Sequence, residues 1–358
     1  MNKPSPGNKP SAAAARFRTE AAKRILVTDG AWGTMIQTFG LAEADYAGTL
    51  GLSHEQKGNN DMLSLTRPDI IEKITQGYLD AGSDIVSTNT FSSTTISQAD
   101  YGAEHLVREL NLAAAGIARR AADAAQAKDG RPRFVAGALG PTNKTLSLSP
   151  DVNDPGFREV DYDQVKDVYT QQIQALLDGG VDFILIETIF DTLNAKAAIM
   201  AVLEESDRRG VEIPIMISMT ITDMSGRNLS GHAIDAFWWA VRHARPLTVG
   251  LNCSFGADLL RPHVQLLSGI ADTLLMSYPN AGLPNELGQY DELPARTGHL
   301  VEEWAKEGLI NVIGGCCGTT PAHIKAMADA VRGYPPRVVP VLPVATRLAG
   351  LDPMILAA

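Results

Sequence analysis

Cysteine is scarce in this chain: three residues, Cys253, Cys316 and Cys317, among 358. An odd number in so long a chain excludes a disulfide framework and leaves metal binding or catalysis as the roles to test. Long apolar runs are missing too. No segment approaches about 18 unbroken apolar residues, so the sequence offers neither a signal peptide nor a membrane span. The expectation is a soluble cytoplasmic protein with no membrane partner. Basic residues are outnumbered, 31 Lys and Arg against 41 Asp and Glu, for a net charge of −10. Nucleic-acid binding needs clustered positive charge, so no nucleic-acid partner is expected. No GxGxxG fingerprint follows the first strand, which argues against a dinucleotide fold. No lysine ends a strand, so a metal-free aldolase-type barrel lacks its nucleophile. The seven histidines show no metal-ligand spacing.

What the chain does have is rhythm. Short β-rich runs alternate with amphipathic helices. The strands are read at Ile25–Asp29, Ile85–Thr88, Phe134–Ala138, Phe183–Glu187, Ile215–Met219, Thr248–Asn252, Thr273–Tyr278 and Asn311–Gly314. Pro68 and Gly82 bracket the helix after the second loop in the favoured order. Asp161 is a plausible cap for a later helix. The strands are continuously apolar, as when both faces are buried. Eight such units predict an α/β fold, a single-domain (β/α)8 TIM barrel, in preference to an open doubly wound sheet. The domain reading is a disordered tail over 1–20, leading into a short helix, then the barrel over 21–333. A Pro-rich tail or linker follows over 334–358.

Reactive residues of such barrels sit at the C-terminal ends of strands. The sixth strand ends in Asn252-Cys253 and the eighth in Gly314-Gly315-Cys316-Cys317-Gly318. All three cysteines therefore fall on one barrel face, on strands that flank the seventh. Three thiolates suit zinc and leave a fourth position for substrate. Cys316 and Cys317 precede a helix starting near Thr320-Pro321, whose positive end should favour thiolate. The bland alternative is three small buried hydrophobes. Asp29 and Glu187 end buried strands, either as ion-pair partners in the barrel mouth or as a holder for a cationic amine. Asn252 and Asn280 read as turn formers or as local donors and acceptors. The Gly-rich ends after the first and eighth strands offer N–H groups to a carboxylate.

These residues carry a likeness. Asp29-Gly30-Ala31-Trp32-Gly33-Thr34-Met35, Gly58-Asn59-Asn60-Asp61, Thr88-Asn89-Thr90-Phe91, Gly250-Leu251-Asn252-Cys253 and Gly314–Gly318 resemble the homocysteine S-methyltransferase family. Leu63-Ser64-Leu65-Thr66-Arg67-Pro68 and the stretches 146–150 and 153–157 narrow it. They are similar to the homocysteine-binding module of cobalamin-dependent methionine synthase. The likeness runs from about Ile25 to Arg332. It implies zinc on Cys253, Cys316 and Cys317, with Asn280 filling the fourth position when substrate is absent. It further implies that Asp29 and Glu187 bind the amino group of homocysteine, and that backbone near Gly30 and Ala31 contacts its carboxylate. Asn252 is placed with the substrate residues.

The methyl donor implied is methylcobalamin, charged from methyltetrahydrofolate, on a partner methionine synthase subunit that binds cobalamin and folate. Residues 346–353 resemble the linker into a folate module. The chain is therefore read as a split subunit, with a fragment as the alternative. Two positions depart from the family pattern: Trp32, where a smaller or flexible residue is expected, and His232, where Gln is expected. The rival readings are a stand-alone methyltransferase using S-methylmethionine or betaine, and a non-catalytic zinc-binding barrel.

Overall fold

Largely apolar runs form eight parallel strands in the computed structural model, which describes residues 7–357. They are β1 (Leu26–Val27), β2 (Ile85–Ser87), β3 (Phe134–Leu139), β4 (Phe183–Ile189), β5 (Ile215–Met219), β6 (Thr248–Gly256), β7 (Leu274–Asn280) and β8 (Val312–Ile313). Hydrogen-bonded neighbours run β1-β8-β7-β6-β5-β4-β3-β2. A parallel bridge between Thr28 and Ile85 brings β1 back to β2, giving the predicted (β/α)8 barrel. The doubly wound alternative would break this sequential order. Asp84 secures the seam. Its N–H donates to Val27 O at 2.7 Å and its carboxylate accepts the Val27 N–H at 3.0 Å. That buried carboxylate is held by Arg24 and Arg131, so its charge is met on both sides.

An N-terminal helix and eight following helices cover the barrel: α1 (Ala12–Ala21), α2 (Pro68–Ala81), α3 (Val107–Asp129), α4 (Tyr162–Asp178), α5 (Thr192–Arg209), α6 (Ile234–Val241), α7 (Ala257–Ile270), α8 (Pro294–Lys306) and α9 (Pro321–Ala330). Proline occupies the first turn of α2, α8 and α9, where its missing N–H costs nothing. Asp161 caps α4 by accepting from Gln164 N, and Asp191 caps α5 by accepting from Leu193 N and Asn194 N. Two helices adjoin short 3₁₀ turns. α3 is preceded by a 3₁₀ turn at Glu104–Leu106, and α6 ends in one at Arg242–Ala244.

Two expectations about the ends of the chain are corrected. Residues 1–6 lie outside the described residues, but the rest of the stretch read as a disordered tail is anchored. Ser11 Oγ accepts from Ala14 N and starts α1. Phe17 of α1 is fully buried against Phe134 and Phe183, with ring centroids 5.4 and 5.2 Å away. Those rings open β3 and β4, so Phe17 stoppers the N-terminal end of the barrel. The Pro-rich stretch after residue 333 is not a free linker either. Arg337 is buried and donates to the carbonyls of Ser268 in the last turn of α7 and of Ala271 and Thr273 in the loop to β7. A hairpin of β9 (Ala345–Ala349) and β10 (Pro353–Ala357) then packs on α6. Arg347 lies 5.0 Å over the Trp239 ring and Arg227 pairs with Asp352. Composition signalled a tail because prolines dominate it; the arginine contacts override that signal.

Replacing Phe17 by Ala removes this stopper without touching the mouth. The variant should lose about 3–5 kcal/mol of stability, as for a buried Phe→Ala change. Urea unfolding measures it, and a loss below about 1 kcal/mol would show that α1 is dispensable.

Candidate metal and substrate site at the barrel mouth

The half-buried breaks in the otherwise buried β4 and β6 mark the site: Glu187 and Thr188 in β4, Cys253 and Ser254 in β6. At both places the backbone leaves the ordinary strand region. Thr188, Cys253 and Ser254 have φ of 57°, 60° and 66°, strained for residues carrying a Cβ. Side chains hold them there. Asn252 Oδ1 accepts from Thr188 N at 3.0 Å, and Asn252 Nδ2 donates to Thr188 Oγ1 at 2.8 Å. Ser254 Oγ accepts the Ile221 N–H at 2.8 Å and bonds Thr220 Oγ1 at 2.8 Å. The turn re-aims the Cys253 side chain toward β8.

From β8 the chain enters Gly314-Gly315-Cys316-Cys317-Gly318. A Cβ on Gly314 would fall 2.1 Å from Thr28 Cγ2, so only glycine lets this loop press against β1. Cys316 N donates to Pro279 O at 2.8 Å and Ala281 N to Cys317 O at 2.9 Å, which ties the loop to the end of β7. The three sulfurs consequently lie within 4.8 Å of one another. Cys253 Sγ and Cys317 Sγ are 3.7 Å apart. Tetrahedral zinc with Zn–S bonds of about 2.3 Å sets its thiolates about 3.8 Å apart, so the spacing fits that metal.

The charge state agrees. Hydrogen bonds from Cys253 and Cys316 push the Cys317 thiol far below its usual range, helped by Tyr290. Cys316 is pushed well up by its hydrogen bonds to Cys253 and Cys317 and by burial. Cys253, although lowered by its bond from Cys316, ends raised through Cys317 and burial. The protein alone thus supports one thiolate among three sulfurs, and a cation is what lets all three ionise. The thiolate expected at both Cys316 and Cys317 is thus favoured at Cys317, whereas at Cys316 contact between the sulfurs and burial oppose it. Asn280 supplies a further sign of fit: it is buried, and its Oδ1 has no hydrogen-bond partner.

Beside the sulfurs lies a cavity of about 360 Å³. Its floor is apolar, with Ile85, Ala136, Leu185, Met216 and Met276. Its walls carry Asp29, Glu187, Tyr278, Trp32 and Asp61 together with Cys253, Cys316 and Cys317. Burial pushes the Glu187 carboxyl up to about 8; a hydrogen bond from Tyr278 OH at 3.1 Å opposes this, and the nearby Asp29 and Cys317 add to it. Burial likewise lifts Asp29 to about 6, against three hydrogen bonds that it accepts, two from Ser87 and one from Thr28. Neither carboxyl has an ion-pair partner among the described residues, so the ion-pair alternative for Asp29 and Glu187 fails. Two buried carboxyls facing one cavity suit a cationic ligand group.

Asp29, Gly30, Ala31, Glu187 and the three cysteines all line the cavity. Two predicted residues stand behind it instead. Asn252 is fully buried and spends its amide on Thr188, on Ser218 Oγ at 2.7 Å and on Cys316 Sγ at 3.8 Å. It positions the site; Asn280 likewise does not line the cavity. The Ala31 N–H already donates to Thr319 Oγ1 at 3.2 Å, and Gly30 is wedged against Thr319 and Tyr78. His232 lies apart, bonded to Ser230 Oγ. Thr188, Tyr278, Asp61 and Tyr290 escaped sequence reasoning. Asp61 closes the Gly58-Asn59-Asn60-Asp61 motif, the one signal that could have found it. It is buried, accepts from Ser92 N at 2.8 Å, and burial raises it to about 7.

A barrel whose C-terminal mouth joins three sulfurs at zinc-like spacing to a pair of carboxyls without ion-pair partners has the parts of a thiol-activating enzyme. Residues 26–331 match the sequence model of the homocysteine S-methyltransferase family, and the chain belongs to that family. Its fold is similar to that of the homocysteine methyltransferase MmuM from Escherichia coli. The oxidized form superimposes with a TM-score of 0.69 at 21% identity, covering 88% of this chain and 99% of that one. The metallated form gives 0.68 at 21% identity and the apo form 0.62 at 20%, with the same coverage.

Asn252→Ala should weaken zinc binding by about 10- to 100-fold, the usual effect of removing a residue that orients metal ligands. Competition with a chromogenic chelator measures it; unchanged affinity would show that the Cys253 turn holds without the amide.

Proposed function

We propose that this protein methylates the sulfur of homocysteine to give methionine, with zinc held by Cys253, Cys316 and Cys317. The observation that carries the reading is the convergence of three sulfurs and two under-satisfied carboxyls on one cavity. Homocysteine pairs a thiol with an ammonium group, and the cavity offers a counterpart to each. A free thiol with a pKa near about 8.5 is mostly protonated at neutral pH. When bound, zinc supplies a Lewis acid that takes the place of the thiol proton.

The chain's own residues do the rest. Glu187 and Asp29 receive the ammonium, the Gly30-Ala31 backbone lies where the carboxylate would rest, and Tyr278 orients Glu187. The apolar floor keeps water from the sulfur, which preserves its nucleophilicity. As the S–CH₃ bond forms, the methyl group's bond to its donor breaks, and the electron pair leaves with the donor. Asn280 is the residue proposed to meet the metal when substrate is absent.

The donor proposed is methylcobalamin, charged from methyltetrahydrofolate and carried on a partner subunit docking over the mouth. The rim supports this. Phe91, Val152, Phe157, Met224, Leu229, Leu283, Leu287 and Leu293 are exposed, and all lie on loops that follow β2, β3, β5 and β7. Exposed apolar residues gathered on one face mark a docking surface. The likeness of residues 63–68 and 146–157 to the methionine synthase module agrees. No helix among the described residues is long and apolar enough to cross a membrane. Three free thiols fit a reducing compartment, and the cytoplasm is the location proposed.

Zinc-loaded protein incubated with homocysteine and, separately, methylcobalamin, S-methylmethionine or betaine tests the reading. Methionine from methylcobalamin supports it, turnover with the onium donors alone would replace the donor, and no product from any would overturn the function. Cys316→Ala should lose both bound zinc, read by atomic absorption, and turnover; full activity in the variant would end the zinc proposal. Glu187→Gln should raise KM for homocysteine about 10- to 100-fold, the loss of a buried charge-assisted contact. An unchanged KM would move the amine site elsewhere.

A further inference from the structure

Trp32 lines the cavity, and the structure gives its indole a definite neighbour. Its Nε1–H donates to Ser87 Oγ at 2.9 Å. Ser87 in turn directs its hydroxyl to Asp29 Oδ2 at 2.8 Å, and its backbone N–H reaches the same oxygen at 2.7 Å. Thr28 Oγ1 donates to the other oxygen, Oδ1, at 3.1 Å. The order of donors along this chain is not free. An indole nitrogen can only donate, so Ser87 Oγ must accept from it. The hydroxyl has one hydrogen of its own, and the indole turns that hydrogen toward Asp29. A donor-to-donor-to-acceptor chain polarises each bond in turn and strengthens the last.

We propose that Trp32, acting through Ser87, is a positioning residue that sets selection for an α-amino group: it holds Asp29 as a hydrogen-bond acceptor aimed at the ammonium of the thiol substrate. The inference rests on the homocysteine reading of the cavity and deepens it. Trp32, Ser87 and Asp29 all line the cavity, and Ser87 links the other two through its hydroxyl. With the Trp32 bond in place, Ser87 supplies two donors to one oxygen. That oxygen is then committed, and the carboxylate plane is fixed. Without the indole N–H the hydroxyl rotor is released, and Asp29 keeps only the backbone donor on Oδ2. Glu187 is oriented by a different pair, Tyr278 with Ser218 behind it. The two carboxyls are therefore held by different sets of donors, with the indole at the head of the one on the β1–β2 side.

Isothermal titration of zinc-loaded protein with homocysteine and with 4-mercaptobutyrate, its des-amino analogue, separates amine recognition from thiol and carboxylate binding. The wild type should favour homocysteine. Trp32→Phe keeps the ring and removes the N–H; it should weaken homocysteine about tenfold, one charge-assisted hydrogen bond's worth, and leave 4-mercaptobutyrate unchanged. Ser87→Ala should do the same, while Ser87→Thr, which keeps the hydroxyl, should retain the preference. A merely structural role would lower both ligands together. Equal loss for both ligands, or an undiminished preference in Trp32→Phe and Ser87→Ala, overturns the proposal. Should Trp32→Phe fail to fold, the Ser87 pair decides. Wild type that binds neither thiol would instead sink the reading of the cavity.

Discussion

Negative charge on sulfur is the constraint around which this molecule is arranged. Three thiols within 4.8 Å cannot all ionise on their own, because each new charge raises the cost of the next. The protein nevertheless enforces the meeting, by means that oppose its own local preferences. It accepts left-handed backbone at Cys253 and glycine-only contact at Gly314. Strain of this kind persists only where the surroundings over-determine it, and here hydrogen bonds from β4, β5 and β7 do so. The cavity lining beside the cluster carries no Lys, Arg or His, and the compensating charge is proposed to come from a bound cation.

The carboxyls follow the same logic one layer away. Asp84 and Glu205 are as buried as Asp29, but arginines meet them, and they serve the frame. Asp29 and Glu187 are met only by neutral donors, which leaves their charge for a ligand. The contrast separates structural from functional acids in this chain more clearly than burial does.

Much of this was legible in the sequence, and the pattern of what was not is physical. Strands and cysteines could be read because a parallel barrel puts every strand end on one face, so position along the chain stands in for position in space. Asn252 was placed correctly on its strand but not in its role. Whether an amide faces a cavity or the backbone 64 residues away depends on a neighbouring strand's turn, which no local pattern announces. Tyr278 and Thr188 were invisible for the same reason. The ends of the chain misled differently. An alanine-rich start and a proline-rich finish have the composition of tails, and single residues, Phe17 and Arg337, convert them into parts of the frame.

The Ser254 hydroxyl has one more consequence. It takes the Ile221 N–H and also donates to the Ile221 carbonyl, satisfying both backbone groups of a residue on the neighbouring strand's exit. Only a short side chain able to give and take a hydrogen bond at once can do that in left-handed backbone. Drift at position 254 is accordingly confined to a very small alphabet, and the loop after β5 can lengthen or change only downstream of that clasp. The angle at which the first sulfur enters is thereby set by one hydroxyl on the strand that carries it.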